Sequence, residues 1–240
     1  MSVVVVVPAY QAARHLGRVL ERVLGVPGLS PLRVVVVDDG STDGTRGVAH
    51  AMRDADARVA VVERVENGGY GAAMKDGLAT AAASDPDAVA CVHADGQYSP
   101  ESLPALLQEL SHRRLDVLQG SRIASGTALS GGMPLYKFLA NAVLNRIENR
   151  TLGLRMTDYH SGYLLYGRRA LRALPFERLS DSFDFDLEVI ASARARGLSV
   201  GEAPVPTHYG DEVSHLNPVA YGLRVLRVMW RYRMGRYDAA

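Results

Sequence analysis

Short runs of consecutive apolar residues, most of them valine, recur through the first half of the chain and alternate with segments of helical periodicity. The runs lie at about residues 3–7, 34–37, 59–62 and 88–92, and Asp116–Gln119 resembles a fifth strand. Continuous β-branched runs are typical of strands that are buried on both faces of a sheet. Strands that alternate with helices form a parallel, doubly wound sheet. The sequence therefore predicts an α/β fold in which helices flank a mostly parallel sheet.

Helices are predicted between these strands and, less regularly, in the second half of the chain. Ser99 is the expected N-cap of one of them, with Pro100 at its first position, and Gly197 is the expected stop of another. The helical segments lie at about residues 11–25, 44–54, 71–84, 130–152, 184–196 and 218–234, with one more beginning near residue 100. No linker-like stretch divides the chain, so a single domain over residues 1–240 is expected. It comprises a donor half (1–122), an acceptor half (123–216) and a C-terminal amphipathic helix (217–240).

Composition excludes several classes of protein. The formal net charge of +1 gives no reason to expect a nucleic acid partner. Val3–Val7 is too short for a signal peptide and lacks a basic segment before it, and no run approaches the roughly 18 apolar residues of a membrane span. The lone Cys91 fits a reducing compartment. We therefore expect a cytoplasmic protein.

Ligands of doubly wound sheets bind beyond the carboxyl ends of the strands, which directs the search for a site. The second strand ends in the acidic segment Asp38–Asp43. Asp38 and Asp39 cannot both enter the core as unpaired charges, and such carboxylates can accept hydrogen bonds from a nucleotide base or ribose. The alternative is a structural turn in which the segment caps the next helix, a role best suited to Asp43.

The fourth strand ends in His93–Tyr98, which brings oxygen ligands two residues apart. Asp95 and Gln97 suit a hard cation such as Mg²⁺ or Mn²⁺, and His93 is a further candidate ligand. Such a cation can bridge the phosphates of a donor and neutralise a departing diphosphate. The alternative is a polar strand-to-helix turn with a structural histidine.

A glycine-rich loop, Asn67–Gly71, precedes a predicted helix. Its backbone N–H groups, with those of the helix N-terminus, can meet phosphate or sugar hydroxyls. The loop matches neither the P-loop nor the dinucleotide-binding pattern, and a plain tight turn explains it equally well.

Taken in order along the chain, these motifs resemble family 2 glycosyltransferases of the GT-A fold, in particular the dolichyl- and polyprenyl-phosphate sugar synthases. The resemblance covers about residues 3–215. It is carried by Pro8–Tyr10, Val37–Asp43, Asn67–Ala73, Ala94–Gln97, Gly120–Arg122 and Ser161–Tyr163.

The resemblance implies a role for each segment. Donor binding falls to Pro8, Ala9, Tyr10, Asp38, Asp39, Gly69 and Asp95; metal binding to Asp95, Gln97 and His93; and contact with the donor phosphates to Arg122. Asp158 and the turn of His160, Ser161, Gly162 and Tyr163 would face the sugar and the acceptor. Asp158, Asp95 and Arg122 are accordingly the expected catalytic residues.

Two departures from the family pattern bear on the acceptor and the metal. The family usually begins its metal motif with aspartate, where this chain has His93. The polyprenyl-phosphate enzymes carry an arginine that grips acceptor phosphate, whereas residues 207–215 hold none, and His208 and His215 are the candidates to replace it. Solvated loop histidines are the plain alternative.

The last helix carries arginines among apolar residues, as in helices that lie on anionic membranes, although a docked helix with solvated arginines fits the same pattern. A membrane contact would place the protein peripherally at the inner face of the membrane.

The sequence predicts a metal-dependent inverting glycosyltransferase that uses a UDP- or GDP-sugar, with polyprenyl phosphate as the favoured acceptor. A glycan or small-molecule hydroxyl is the alternative acceptor, and then Asp158 would act as the base. A sugar nucleotidyltransferase lacks support, because Pro8–Ala13 holds no basic glycine-rich loop. A non-catalytic sugar-nucleotide-binding module stays open because of His93.

Overall fold

The computed structural model describes residues 1–126, 135–206 and 218–238, without the side chains of residues 136, 137, 218 and 219. Seven strands form one sheet in the order β3-β2-β1-β4-β6-β5-β7. They are β1 (Val3–Ala9), β2 (Leu32–Asp38), β3 (Val59–Glu63), β4 (Ala88–Cys91), β5 (Val117–Ser121), β6 (Leu164–Gly167) and β7 (Val200–Pro204).

The first four strands pair in parallel, whereas β6 runs antiparallel to both β4 and β5, and β7 is again parallel to β5. The predicted mostly parallel sheet is thus confirmed, with β6 as the exception. Both β6 and β7 are absent from the sequence prediction. β6 has only four residues and is followed at once by a helix, while β7 contains Gly201 and Pro204, which weaken any strand pattern.

The valine runs place alternate side chains in two different cores. Val4 and Val6 of β1 lie in the core on one face of the sheet, whereas Val3, Val5 and Val7 lie in the core on the other. Successive side chains of a strand point to opposite faces, so a strand covered on both sides must be apolar throughout. This explains why the strongest strand signal in the chain belongs to an interior strand, β1, which lies between β2 and β4.

Eight α-helices occur in the described residues. They are α1 (Leu16–Leu24), α2 (Thr45–Ala55), α3 (Tyr70–Ala82), α4 (Leu103–His112), α5 (Leu135–Leu152), α6 (Arg168–Ala173), α7 (Phe185–Ala195) and α8 (Pro218–Arg233). Gly197 ends α7 as predicted, with Leu198 N donating to Ala193 O at 2.9 Å. Ser99 stands before a short 3-10 turn, Pro100–Ser102, but its hydroxyl contacts Glu101 and caps no backbone amide.

The C-terminal helix α8 is docked against α5 and α7. Glu188 of α7 is almost fully buried and accepts hydrogen bonds from Arg231, from the Tyr237 hydroxyl (2.7 Å) and from Ser180 N (2.7 Å). Arg224 pairs with Asp184 at 3.3 Å. Two arginines of the predicted amphipathic helix therefore bind inward to carboxylates of α7. Within the described residues, no helix has both the length and the hydropathy that a bilayer crossing requires.

Candidate active site

The ends of β1 and β2 lie side by side at one edge of the sheet. Ala9 pairs with Asp38, and Asp39 N donates to Ala9 O at 2.9 Å. The predicted donor segments Pro8–Tyr10 and Asp38–Asp39 are therefore adjacent, although they are about thirty residues apart in the chain. Tyr10 is 51% exposed at this edge, so its ring is accessible to a ligand.

Asp38 is fully buried and serves its own turn. Its Oδ1 accepts a hydrogen bond from Ser41 N at 3.2 Å, and its Oδ2 accepts one from Arg46 Nε at 2.9 Å. Asp43 accepts from Thr45 N, the first residue of α2, at 2.9 Å. These contacts show Asp38 and Asp43 stabilising the turn before α2, which is the structural role that the sequence offered as the alternative to nucleotide binding.

Asp39 holds the glycine-rich loop. Its two carboxylate oxygens accept hydrogen bonds from Gly68 N and Gly69 N, each at 2.9 Å, and it forms an ion pair with Arg64. Gly69 has a φ of 97°, and a Cβ there would lie 2.6 Å from Asp181 O. Only glycine fits this position, so the loop runs close against the segment before α7 and its shape is set by Asp39.

Asp95 follows β4 in a tight turn in which its Oδ1 accepts a hydrogen bond from Gln97 N at 2.9 Å. The residue is partly exposed. It lines a cavity of about 430 Å³ together with Gln97 and residues of α1. A partly exposed carboxylate at the end of a strand is open to a ligand from solvent.

Tyr70, the first residue of α3, connects the glycine-rich loop to the end of β4. Its hydroxyl donates to Asp186 Oδ2 at 2.8 Å and lies 3.5 Å from His93 Nε2. Asp186 is buried at the start of α7, and burial raises the pKa of its carboxyl to about 7, against the opposing hydrogen bond from Tyr70. The sequence placed Tyr70 in the glycine-rich motif but gave it no role, and it did not indicate Asp186, because nothing local marks a contact between α3 and α7.

His93 lies between charges of opposite sign. Burial lowers the pKa of its imidazole; the Asp95 carboxylate acts in the opposite direction, and the Arg122 guanidinium adds to the lowering. A neutral imidazole is a possible metal ligand, which keeps His93 among the candidates. Arg122 donates to the His160 carbonyl, and Gly162 of the same turn packs on the His93 ring, so Arg122 lies in the same region as His93 and Asp95.

Arg122 follows β5 and is held by Asp158. Its Nε donates to Asp158 Oδ2 at 2.7 Å, and its Nη2 donates to Asp158 Oδ1 at 3.0 Å and to His160 O at 3.1 Å. Burial opposes ionisation of Asp158, but Arg122 outweighs it and holds the pKa of that carboxyl below its usual range. The pair is a forked guanidinium–carboxylate contact, the geometry that fixes an arginine most firmly.

His160 lies between α5 and α8. Its Nδ1 is 2.9 Å from the Tyr221 hydroxyl of α8, and its Nε2 is 3.4 Å from Glu148 Oε2 of α5. Glu148 is fully buried. The sequence marked His160 but neither partner, because both sit on helices whose pattern reads as ordinary packing.

The other residues of the His160–Tyr163 turn face inward. Ser161 bonds to Gln119 and Gly120 of β5, and the Tyr163 hydroxyl donates to Ser99 O at 3.3 Å. Gly162 has a φ of 71°, and a Cβ there would lie 2.5 Å from His93 Cε1, so the turn packs directly on the His93 ring. A direct acceptor contact by the Ser161 or Tyr163 side chain stays a prediction that their burial does not favour.

The donor set at Asp95 suits a metal that arrives with a phosphate ligand. Within residues 1–126, 135–206 and 218–238, no three His, Cys, Asp or Glu side chains converge as a metal cluster. Mg²⁺ is commonly bound by one or two carboxylates together with substrate phosphates, and one partly exposed aspartate meets that requirement. His208 and His215 lie outside the described residues.

The chain is similar in sequence to known proteins. The family described as "Glycosyl transferase family 2" matches residues 4–174. The undecaprenyl-phosphate mannosyltransferase of Micrococcus luteus is 30% identical, over 85% of this chain and 83% of its own. The UDP-N-acetylglucosamine–dolichyl-phosphate N-acetylglucosaminyltransferase of Methanococcus voltae is 23% identical over 96% of both chains.

Among solved structures, glucosyl-3-phosphoglycerate synthase from Mycobacterium tuberculosis, in complex with Mn²⁺, UDP and phosphoglyceric acid, has the same fold. It superimposes with a TM-score of 0.71 at 17% identity, over 96% of this chain and 78% of that one. Another crystal of that enzyme holds Mg²⁺ and UDP. At this identity the likeness establishes the fold.

Proposed function

The chain belongs to glycosyl transferase family 2 and is a glycosyltransferase, and we propose that it is an inverting, metal-dependent enzyme that transfers a sugar from a UDP- or GDP-sugar to polyprenyl phosphate. The observation that carries the proposal is the contact of Arg122 with the His160 carbonyl, in the turn whose Gly162 packs on the His93 ring, two residues before Asp95. Asp95 can bind a cation, and Arg122 is a guanidinium held in a fixed position. Both lie at the end of a parallel sheet, where together they suit the binding of a nucleoside diphosphate.

The donor would lie across the ends of β1, β2 and β4. Tyr10 is exposed there for contact with the base, and Asp39 sets the glycine-rich loop that lines the same edge. Arg122 would contact the diphosphate. A divalent cation, with Asp95 as its main ligand and Gln97 and His93 as further candidates, would supply charge neutralisation of the leaving diphosphate.

Transfer would proceed by in-line attack on the anomeric carbon. The new bond joins the anomeric carbon to an acceptor oxygen, the bond to the diphosphate breaks, and charge develops on the leaving group. Arg122 is preorganised for that charge, because Asp158 and the His160 carbonyl fix its guanidinium before the substrate binds.

The state of Asp158 favours a phosphate acceptor. A hydroxyl acceptor needs a general base, and an efficient base has a pKa near the working pH. The pKa of Asp158 is instead lowered, and both of its oxygens bind Arg122. A phosphate oxygen is already an anion and needs no base. Asp158 then acts as a positioning residue for Arg122. With a glycan hydroxyl as the acceptor, Asp158 would have to leave Arg122 before it could act as the base.

The relatives from Micrococcus luteus and Methanococcus voltae are named for transfer to undecaprenyl phosphate and dolichyl phosphate, which supports the same class of acceptor here. Such an acceptor is anchored in a bilayer, so we place the enzyme in peripheral contact with the cytoplasmic face of a membrane.

The test is a transfer assay with UDP- and GDP-sugars, Mn²⁺ or Mg²⁺, and three acceptors: a short-chain polyprenyl phosphate, a glycan and water. Sugar on the lipid phosphate, with inverted anomeric configuration, is the expected product. Sugar transferred to the glycan alone would show that the acceptor is a hydroxyl and not polyprenyl phosphate. Donor binding without transfer to any acceptor, including water, would support the alternative of a non-catalytic sugar-nucleotide-binding module.

A further inference from the structure

Two helices next to the acceptor turn expose apolar side chains to solvent. Leu135, Leu139 and Val143 lie along α5, and Leu223, Leu226 and Trp230 lie along α8; each is between 46% and 64% exposed. Their spacings of three, four and seven residues place them on one side of each helix. These six residues are called the α5–α8 face below.

The exposed side of α8 is opposite to its docked side. Val225, Val228 and Met229 are buried in the core, whereas Leu223, Leu226 and Trp230 point away from it. Arg224 and Arg231, which pair with Asp184 and Glu188, lie on the flank that meets α7. The exposed apolar residues are therefore not needed to hold the helix in place.

The charge around the α5–α8 face is mainly positive, with Asp238 as an exposed acidic residue beyond the end of α8. Arg146 and Arg150 of α5 are exposed, as are Arg227 and Arg233 of α8 and Arg236 beyond it. The acidic residue within the two helices is Glu148, which is fully buried. The whole chain is nearly neutral at +1, so this positive charge is a local property of the face.

We propose that the α5–α8 face binds the surface of an anionic lipid bilayer. Exposed leucines, a tryptophan and flanking arginines are the side chains with which interfacial helices enter the headgroup region. A second copy of the chain is a poorer occupant, because a two-fold contact would bring the arginines of both copies together. The proposal deepens the proposed function and rests on it for the choice of a lipid-linked acceptor.

The position of His160 connects this face to the acceptor site. Its imidazole lies between Tyr221 of α8 and Glu148 of α5, so the helices that carry the face also hold the turn predicted to meet the acceptor. Docking on a bilayer would bring that turn to the headgroup level, where the phosphate of a polyprenyl carrier lies.

The experiment is co-sedimentation of the full chain with vesicles of phosphatidylcholine alone or with phosphatidylglycerol, at low and high salt. Wild type should bind the anionic vesicles, and high salt should weaken binding. Leu139→Glu and Trp230→Glu should each weaken binding by about tenfold or more, since each replaces an apolar contact by a repelled charge. Val65→Glu, at a fully exposed apolar position after β3, is the matched control and should bind like wild type.

Arg227→Gln with Arg233→Gln keeps the apolar residues and should reduce the salt dependence, since two of the five exposed arginines around the α5–α8 face are lost. Transfer to a short-chain, water-soluble polyprenyl phosphate should be unchanged in Trp230→Glu, whereas transfer to a long-chain carrier in vesicles should fall. If wild type binds anionic vesicles but does not transfer sugar to the short-chain polyprenyl phosphate, the acceptor assignment is wrong. The assignment of the α5–α8 face as a membrane surface then still stands. No binding to anionic vesicles, or a concentration-dependent dimer that Trp230→Glu abolishes, would overturn the face as a membrane surface.

Discussion

The Asp158 carboxylate, which has no exposed surface, accepts two hydrogen bonds from the Arg122 guanidinium, at 2.7 and 3.0 Å. The two residues come from segments that are 36 positions apart. Asp158 therefore fixes the orientation of Arg122, which also donates to His160 O in the turn that packs on the His93 ring. A residue that acts through another in this way gives a different mutational signature from a general base.

Asp158→Asn should lower kcat by about 100-fold, because a freed Arg122 loses its alignment with the leaving group. It should also cost about 3 kcal/mol of unfolding free energy, the scale for leaving one buried partner of an ion pair without its counterion. If Asp158 only positions Arg122, the Arg122→Ala and Asp158→Asn effects on kcat are not additive in the double variant. Two results together would contradict this: additive losses of kcat, and a pH–rate profile that loses the ionisation of a general base in Asp158→Asn but not in Arg122→Ala. They would indicate that Asp158 is a general base and that the acceptor is a hydroxyl.

Asp95→Asn should reduce turnover at least ~100-fold, on the scale of losing one strong electrostatic contact with a transition state. The variant keeps the side-chain shape and an acceptor for Gln97 N, so the fold is expected to persist. Circular dichroism and thermal unfolding check the fold. Full activity in a folded Asp95→Asn protein would remove the metal assignment at this residue.

Metal and nucleotide should bind cooperatively. Asp95 is one carboxylate without two further His, Cys, Asp or Glu neighbours in the part of the chain that the structure describes, so Mn²⁺ alone should bind weakly. Titration calorimetry with UDP or GDP present should show Mn²⁺ binding tightened by roughly 10-fold or more, and the nucleotide should gain the same factor from the metal. Equal Mn²⁺ affinity with and without nucleotide would indicate a complete protein site elsewhere.

Asp39→Ala should weaken binding of the nucleoside diphosphate by roughly 1.5–3 kcal/mol, the range for a hydrogen bond to a charged group. The structure adds a second reason, since the Gly68 and Gly69 amides lose their acceptor and the loop loosens. Asp38→Asn is the useful comparison, because Asp38 is buried in its own turn beside the same edge. If Asp39→Ala binds like wild type, the acidic pair serves the turn alone.

The sequence predicted what depends on local pattern. The valine-rich runs indicated the strands β1 to β4, because a strand between two cores must be apolar throughout, and the shorter segment 116–119 indicated β5. Asp39 and Asp95 were marked because each follows a strand at the edge where such sheets bind ligands, whereas Arg122 was marked through the family resemblance.

The contacts between distant segments were not predictable in the same way. Tyr70 and Asp186 are 116 positions apart, and His160 and Tyr221 are 61 apart. Neither pair leaves a periodic signal, since each side chain looks like an ordinary residue of its own helix or turn. The antiparallel β6 was missed for a related reason, because its place between β4 and β5 comes from pairing across the sheet.

Asp186 should make stability depend on pH in a direction opposite to that of most carboxylates. Its folded-state pKa of about 7 exceeds the ordinary value of 3.8, because burial disfavours the charge. The neighbours Tyr70, Cys91 and Tyr166 bring no compensating positive charge, since burial raises the pKa of each and they stay neutral. The folded state then binds more protons than the unfolded state between about pH 4 and 7, so this group's contribution is full at low pH and is lost as pH rises through 7.

Asp186→Asn should remove that loss while keeping an oxygen that accepts the Tyr70 hydroxyl. Urea unfolding from pH 3.5 to 8 should show similar stability of the two proteins near pH 3.5, a gap that widens between about pH 4 and 7, and a variant that is more stable at pH 8 by an amount on the order of 4 kcal/mol for the full shift. Asp54→Asn is the control, because its carboxylate is exposed on α2 and should track wild type at every pH. The difference between wild type and Asp186→Asn isolates the one group, since histidines titrate alike in both proteins. If the difference in unfolding free energy between the two proteins is constant across the pH range, Asp186 is ionised throughout. The buried carboxylate would then need a neighbouring cation, which its described neighbours do not supply.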